Sequence, residues 1–196
     1  EWSTALEHFF ELTPDRILDH VESALGSGIR STGRAFALNS LENRVYEIEL
    51  EDRTSVVAKF YRPGRWSKGA LLDEHSFVAE LAEAEVPVVK PIALTSGSTI
   101  AQTHDGIWFA VFPKSRGRIT HELSHEQLRM AGRYLARLHQ VGRNHTAEHR
   151  LRLNTETYAR QPLSFLKSAK LIDPRFEQSY SDAVNRIADW VEPRLS

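Results

Sequence analysis

Apolar residues recur along this chain with two different periods, and the change from one to the other divides it. Ile17, Leu18, Val21, Ala24 and Leu25 share one face of a helix. Thr13-Pro14-Asp15 opens that helix with a capping hydroxyl, a first-turn proline and an acidic residue against the dipole, and Gly26 and Gly28 close it. Alternation then takes over. Residues 34–38, 44–50 and 55–61 are short runs of β-branched and aromatic residues parted by turns such as Glu51-Asp52-Arg53, which predicts three antiparallel strands. Ser67 caps a helix running to about Ala84, and Pro87 and Pro91 punctuate its exit. A fourth strand is predicted over 91–95, and His104-Asp105-Gly106 reads as a hairpin turn into a fifth at 108–112. After Pro113 the strands stop. Ser124-His125-Glu126-Gln127 is a capping box, Leu128, Ala131, Leu135 and Leu138 form a helical stripe, and Gly142 ends it. The His- and Arg-rich stretch 143–152 reads as surface loop. Two helices follow, at 164–169 and 181–191, the second with Val184, Ile187 and Val191 on one face and stopped by Pro193. A sheet-bearing first half followed by helices alone predicts an α+β fold of two lobes with a crevice between them.

Composition narrows the classes of function. The 196 residues hold 25 Lys+Arg against 26 Asp+Glu, a net charge of −1, which argues against a general nucleic-acid binder. With no Cys there is no disulfide framework, thiol nucleophile or Cys-based zinc site. No apolar run is long enough to span a membrane, and Glu1-Trp2-Ser3 lacks the order of a signal peptide, so a cytoplasmic protein is expected. The chain opens without Met and is read as processed or partial.

Two charges sit where apolar residues belong. On the helix from Ser67, Glu74 falls in the middle of the stripe made by Leu71, Val78 and Leu81 with Ala70 and Phe77. In the third strand Val56, Ala58 and Phe60 point one way and Val57, Lys59 and Tyr61 the other. A lone buried charge costs several kcal/mol, so the economical arrangement is that Glu74 meets Lys59. Long side chains also reach solvent at the edges of elements, and alternation alone does not choose between the two. The order does: two strands, a strand with Lys, then a helix with a central Glu is how a protein kinase holds and orients a lysine on nucleotide phosphates.

Longer stretches carry a resemblance. Asn39-Ser40-Leu41-Glu42-Asn43-Arg44-Val45-Tyr46, Val56-Val57-Ala58-Lys59-Phe60-Tyr61-Arg62-Pro63, Glu74-His75-Ser76-Phe77, Phe109-Ala110-Val111-Phe112-Pro113 and the run 132–140 closely resemble the bacterial stress-response kinase A family. These are serine/threonine protein kinases whose fold is similar to aminoglycoside phosphotransferases and choline kinase. The resemblance runs from about Thr13 to the end of the chain. It implies a kinase-like first lobe over 1–113, with a five-stranded antiparallel sheet and a C-helix, and a hinge and partial helical second lobe over 114–196. It also implies ATP and Mg2+ as cofactors. Lys59 would contact the phosphates and Glu74 hold it. Ser40, Asn43 and Arg44 would lie in the loop over the phosphates, Val57 would pack on the adenine, and Phe112 and Pro113 would begin the hinge. The His-Gly-Asp-x-His-x-x-Asn stretch and later Asp of that family are not in this sequence, which stops about where they should begin. The chain alone is therefore expected to hold nucleotide without transferring phosphate, with metal ligands outside it.

Other constellations carry less. His121 with His125 and His145 with His149 lack an acidic partner at ligand spacing, so no metal site is expected. Arg116 and Arg118 read as solvated surface, His139 as a structural hydrogen-bonder, and Trp66 as a staple before the Ser67 cap. Leu163, Phe165, Leu166, Ile187 and Trp190 need cover, which predicts self-association of the chain on its own. Three functions stay open: a serine/threonine kinase acting on a protein substrate, a non-catalytic kinase-like binding module, and a small-molecule phosphotransferase. No nucleic-acid or membrane partner is expected.

Overall fold

A computed structural model describes residues 2–117, 120 and 122–195. Residues Glu1–His149 and Arg150–Ser196 form two compact units. In the first, helices α1 (Trp2–Phe10) and α2 (Pro14–Leu25) precede strands β1 (Ser31–Leu38), β2 (Arg44–Leu50) and β3 (Ser55–Phe60). Helix α3 (Lys68–Glu83), strands β4 (Ala101–Gln102) and β5 (Trp108–Pro113), and helix α4 (His125–Gly142) complete it. Among the described residues the five strands make one antiparallel sheet in the order β1-β2-β3-β5-β4.

The caps form as the sequence dictates. Thr13 Oγ1 accepts from the Arg16 N–H, Ser67 Oγ from Ala70, and Ser124 and Gln127 close a reciprocal capping box. Gly26 ends α2 at φ 109°, a conformation open to glycine. Helix α1 is an element that the hydrophobic periodicity does not announce. Its Phe9 is buried in the core, and its last carbonyls, of Phe9 and Phe10, accept from the Arg44 guanidinium at 2.9 and 3.0 Å.

Alternation in β3 sends its residues to two different cores. Val56, Ala58 and Phe60 join Tyr46, Ile48, Phe109 and Val111 beneath α1 and α2. On the opposite face Tyr61 and Ala110 pack with Leu71 of α3 and with Ile100, and Trp66 joins them as a staple would. Residues 91–95, expected as a strand, are not one. Ile92 donates one bond to Val111, after which the Leu94 and Thr95 amides turn to Ser98 and to the Ala24 carbonyl at the end of α2. The fourth strand is instead the two-residue β4. Thr103 and Ile107 close the hairpin after it, with Gly106 at φ 82°.

In the second unit a π-helical turn (Glu156–Arg160) leads into α5 (Gln161–Ser168), and α6 (Glu177–Leu195) follows. Arg160 ties the turn to Asp189 and Glu192 of α6 at 2.8 and 3.0 Å. Pro193 does not stop α6, which continues to Leu195 while the Arg194 guanidinium lies over the Trp190 ring. Leu163 is buried and Leu166 half-buried, whereas Phe165, Ile187 and Trp190 remain exposed.

One histidine gives the first unit a pH dependence. The His20 ring on α2 lies 5.5 Å from His104 and 6.3 Å from Phe109. Burial, aided by His104 and Arg16 and opposed by Asp105 and Asp19, holds its pKa below the ordinary 6.5. The unfolded chain therefore binds the proton first. The neutral ring's contribution is fully present above about pH 6.5 and is lost as pH falls below it. His20→Gln is expected to flatten the fall of the urea midpoint between about pH 7 and pH 5; an unchanged slope would assign that fall to other groups.

Candidate functional site

Directly paired residues of neighbouring strands share a face of the sheet, so the pairing generates two rows across it. Leu38, Val45, Lys59 and Ala110 form one, and Phe36, Glu47, Val57 and Phe112 the next. Helix α3 covers this face at its β3–β5 side. The β1–β2 side is open: Phe36 is 57% and Leu38 37% exposed. Lys59 stands at the border between the two. Its Nζ is 3.8 Å from Glu74 Oε1 and 4.7 Å from the centre of the Tyr61 ring.

The Lys59 and Glu74 side chains retain 28% and 34% of their exposure, so the pair is not buried. At this separation the contact is electrostatic rather than a hydrogen bond. Its worth to stability is that of a solvated ion pair, about 1 kcal/mol or less, not the several kcal/mol of a buried one. The ammonium keeps donors free to meet a second anion.

The loop between β1 and β2 lies at the Lys59 end of the sheet, since Arg44 pairs Phe60 and Val45 pairs Lys59. Within it Ser40 Oγ accepts from the Asn43 N–H, and Asn43 Oδ1 accepts from the Arg62 N–H, both at 3.3 Å. Glu42 holds Arg65 at 2.8 Å. These bonds shape the loop and fasten it to the β3–α3 connection. Arg44 points to the α1 face with Tyr46, away from the Lys59 face, because the α1 carbonyls take its guanidinium. The structure thus brings Val57, Lys59, Glu74 and Phe112 to one face. Pro113, at the end of β5, pairs Val56 on the other. Beside it the Lys114 ammonium ion-pairs with Glu47. A hollow of about 590 Å³ lined by Leu6, Glu42, Arg62, Pro63, Gly64 and Arg65 includes neither Lys59 nor Glu74.

Several contributors are not evident from the sequence. Phe36, Leu38, Val45 and Glu47 belong to the open face. Alternation in β1 is the available signal, but only cross-strand pairing says which alternate set faces Lys59. His75 is buried on α3 beside Glu74, its Nε2 3.1 Å from the Tyr61 hydroxyl and its Nδ1 2.7 Å from Thr99 Oγ1. The stretch after α4, expected as solvated loop, clasps the outer side of α3. His145 Nδ1 lies 2.8 Å from Glu80, and the His149 N–H donates to Asp73 at 2.6 Å. That donation holds the Asp73 carboxyl below the usual carboxylate range. Gly69 permits the contact, for a Cβ there would stand 2.4 Å from the His149 ring. Arg137 adds a bond to the Ala84 carbonyl at 2.7 Å.

Among the described residues no group of three or more His, Asp or Glu could hold a metal ion, and His121 lies outside them. His104-Asp105-Gly106 is a hairpin turn, and Asp105 pairs with Arg16. No helix among the described residues is long and apolar enough to cross a membrane.

Comparison with known proteins gives this geometry its setting. The chain is 38% identical over 189 residues to stress response kinase A of Escherichia coli O157:H7 and of Escherichia coli K12, covering 94% of this chain and 56% of each relative. It is 38% identical over 183 residues to the serine/threonine protein kinase RdoA of Salmonella typhimurium LT2, covering 93% of this chain and 54% of that one. The chain therefore spans about half the length of these relatives. Among solved structures the fold is similar to amicoumacin kinase hAmiN in complex with AMP-PNP, Ca2+ and Ami. There the TM-score is 0.64 at 19% identity, covering 81% of this chain and 49% of that one. It is also similar to spectinomycin phosphotransferase APH(9)-Ia in complex with ADP and spectinomycin. The TM-score is 0.59 at 14% identity, covering 89% and 55%. The sequence profile of the phosphotransferase enzyme family matches residues 34–196, from the first strand of the sheet to the last residue, and the chain belongs to that family.

Proposed function

We propose that the complete protein is a cytoplasmic, ATP-dependent serine/threonine protein kinase. Residues 1–113 are its nucleotide-holding lobe and 114–196 the hinge and first helices of the second lobe. The observation that carries this reading is the half-exposed Lys59 ammonium, 3.8 Å from Glu74, at the border of an open apolar face. A cation so placed has room for phosphate oxygens, and the face of Phe36, Leu38, Val45, Val57 and Phe112 suits a planar base. In this reading Lys59 holds the phosphates, Glu74 orients it, Val57 packs on the adenine, and Phe112 and Pro113 offer hinge backbone. Ser40 and Asn43 shape the loop, and Arg44 anchors that loop to α1. ATP with Mg2+ supplies the phosphoryl group and neutralises its charge. The metal ligands and the groups that orient the acceptor hydroxyl are assigned to sequence beyond these 196 residues.

The protein acceptor is supported by the names of the Escherichia coli and Salmonella relatives. A small-molecule acceptor is the second reading, favoured by the two solved neighbours. Transfer of label from γ-labelled ATP by the complete protein decides between them. The expected product is phosphoserine or phosphothreonine in casein, with under about a tenth of that rate on spectinomycin or choline. Label on the small alcohols alone would reverse the choice, and nucleotide binding without transfer would reduce the protein to a binding module.

A further inference from the structure

Lys59 is gripped from α3 by a second route besides Glu74. Its ammonium lies over the Tyr61 ring at 4.7 Å, inside the range of about 6 Å in which a ring face attracts a cation. Tyr61 is buried in the cluster of Leu71, Ile100 and Ala110, so the ring contact is shielded from water on its far side. Packing alone asks for nothing more than a phenyl ring here. The molecule instead buries a phenol and an imidazole and satisfies both. His75 is 5% exposed, and its two ring nitrogens meet the Tyr61 and Thr99 hydroxyls at 3.1 and 2.7 Å. A neutral imidazole donates from one nitrogen and accepts at the other, and a hydroxyl can play either part, so the chain of three closes in either tautomer. The Phe112 ring stands edge-on to His75 at 6.0 Å, which joins the start of the hinge to the same set.

We propose that Tyr61 and His75 are a positioning pair for Lys59. The Tyr61 ring carries the ammonium, and His75, held by Thr99, fixes the ring, so that the location of α3 reaches the lysine twice. Glu74 and His75 are consecutive on α3, so a shift of that helix that releases the carboxylate also releases the ring. This rests on the reading of Lys59 as the phosphate-holding residue. Neither Tyr61 nor His75 touches nucleotide in it; both act through Lys59.

The test is a double-mutant comparison in the complete protein, reading the dissociation constant of AMP-PNP by titration. Lys59→Met alone is expected to weaken binding about 10- to 100-fold. Tyr61→Leu, which removes the ring, is expected to weaken it about 3- to 30-fold in the Lys59 background and less than 2-fold in the Lys59→Met background. A merely structural Tyr61 would give the same factor in both backgrounds, which overturns the pair while leaving the nucleotide reading intact. An unchanged constant for Lys59→Met overturns the nucleotide reading and the pair with it. Should Tyr61→Leu fail to fold, His75→Asn repeats the comparison: a loss of affinity beside Lys59 that shrinks below about 2-fold in the Lys59→Met background supports the pair, and equal factors in both backgrounds overturn it. Tyr61→Phe keeps the ring and its volume, so it is expected to retain most of the affinity, whereas a loss equal to that of Lys59→Met would show that the ring face is not the operative contact.

Discussion

Lys59→Ala in the complete protein is expected to slow phosphoryl transfer on the order of 10²- to 10³-fold while leaving the fold nearly as stable as before. The first half follows from the proposed role. Phosphoryl transfer depends on positioning and on charges preorganised against the phosphates, and removing one such donor costs a factor of that size. The second half follows from the geometry. Lys59 and Glu74 are separated by 3.8 Å and retain 28% and 34% of their exposure, so water screens the pair and its loss costs about 1 kcal/mol or less. In a protein of this length or longer that moves the melting temperature by about 4 °C or less. Activity and a thermal melt of the same preparation check both halves. A fall of 10 °C or more would mean that the pair supports the sheet, and unchanged transfer would remove Lys59 from the site.

Phe109→Ala has the opposite signature. Phe109 is fully buried at the centre of the core beneath α1 and α2, its ring stacked on Phe60 with centroids 5.1 Å apart and planes 21° from parallel. Truncation removes most of an aromatic side chain from a region that closes only in part, a cost of about 3–5 kcal/mol. Set against a total stability of about 5–15 kcal/mol, that is a large fraction. The melting temperature is expected to fall by roughly 10 °C. Phe109→Leu, which keeps much of the volume, is expected to recover most of the loss. A fall of under about 3 °C for the alanine variant would mean that α2 and the sheet close over the cavity.

The two substitutions act on opposite faces of one sheet, and the division between those faces is legible in the residues of β3 alone. Alternation of Val56, Ala58 and Phe60 with Val57, Lys59 and Tyr61 is a property of the strand itself, and the folded sheet keeps it. The same holds for the helix starts at Thr13, Ser67 and Ser124, and for the Asp-Gly hairpin before β5. Each is decided within a few residues, by a side chain that bonds its own backbone or by a glycine that accepts a positive φ. The helical period also carries Glu74 into the apolar stripe of α3, and with it the meeting with Lys59.

Local pattern fails where a distant partner takes over. Residues 91–95 have strand composition, but the carbonyl at the end of α2 competes for the Thr95 amide and draws the segment off the sheet. Arg44, in a loop expected to face phosphate, finds the last carbonyls of α1, more than thirty residues away in the chain. The histidines at 145 and 149 have the neighbours of a solvated loop, yet Glu80 and Asp73 of α3 stand opposite them. By itself, then, the sequence determined which residues form most of the strands and helices, where α2, α3 and α4 begin, and that a lysine and a glutamate share an apolar setting. Each of these rests on the chain's own period and on bonds spanning a few residues. Helices α5 and α6, by contrast, begin three and four residues before the expected 164 and 181. Only the tertiary structure decided which half of the sheet face stays open, that the ion pair is half-solvated, and that His75 and Tyr61 stand behind the lysine. Those depend on strand pairing and helix docking between distant segments, whose register the local pattern does not encode.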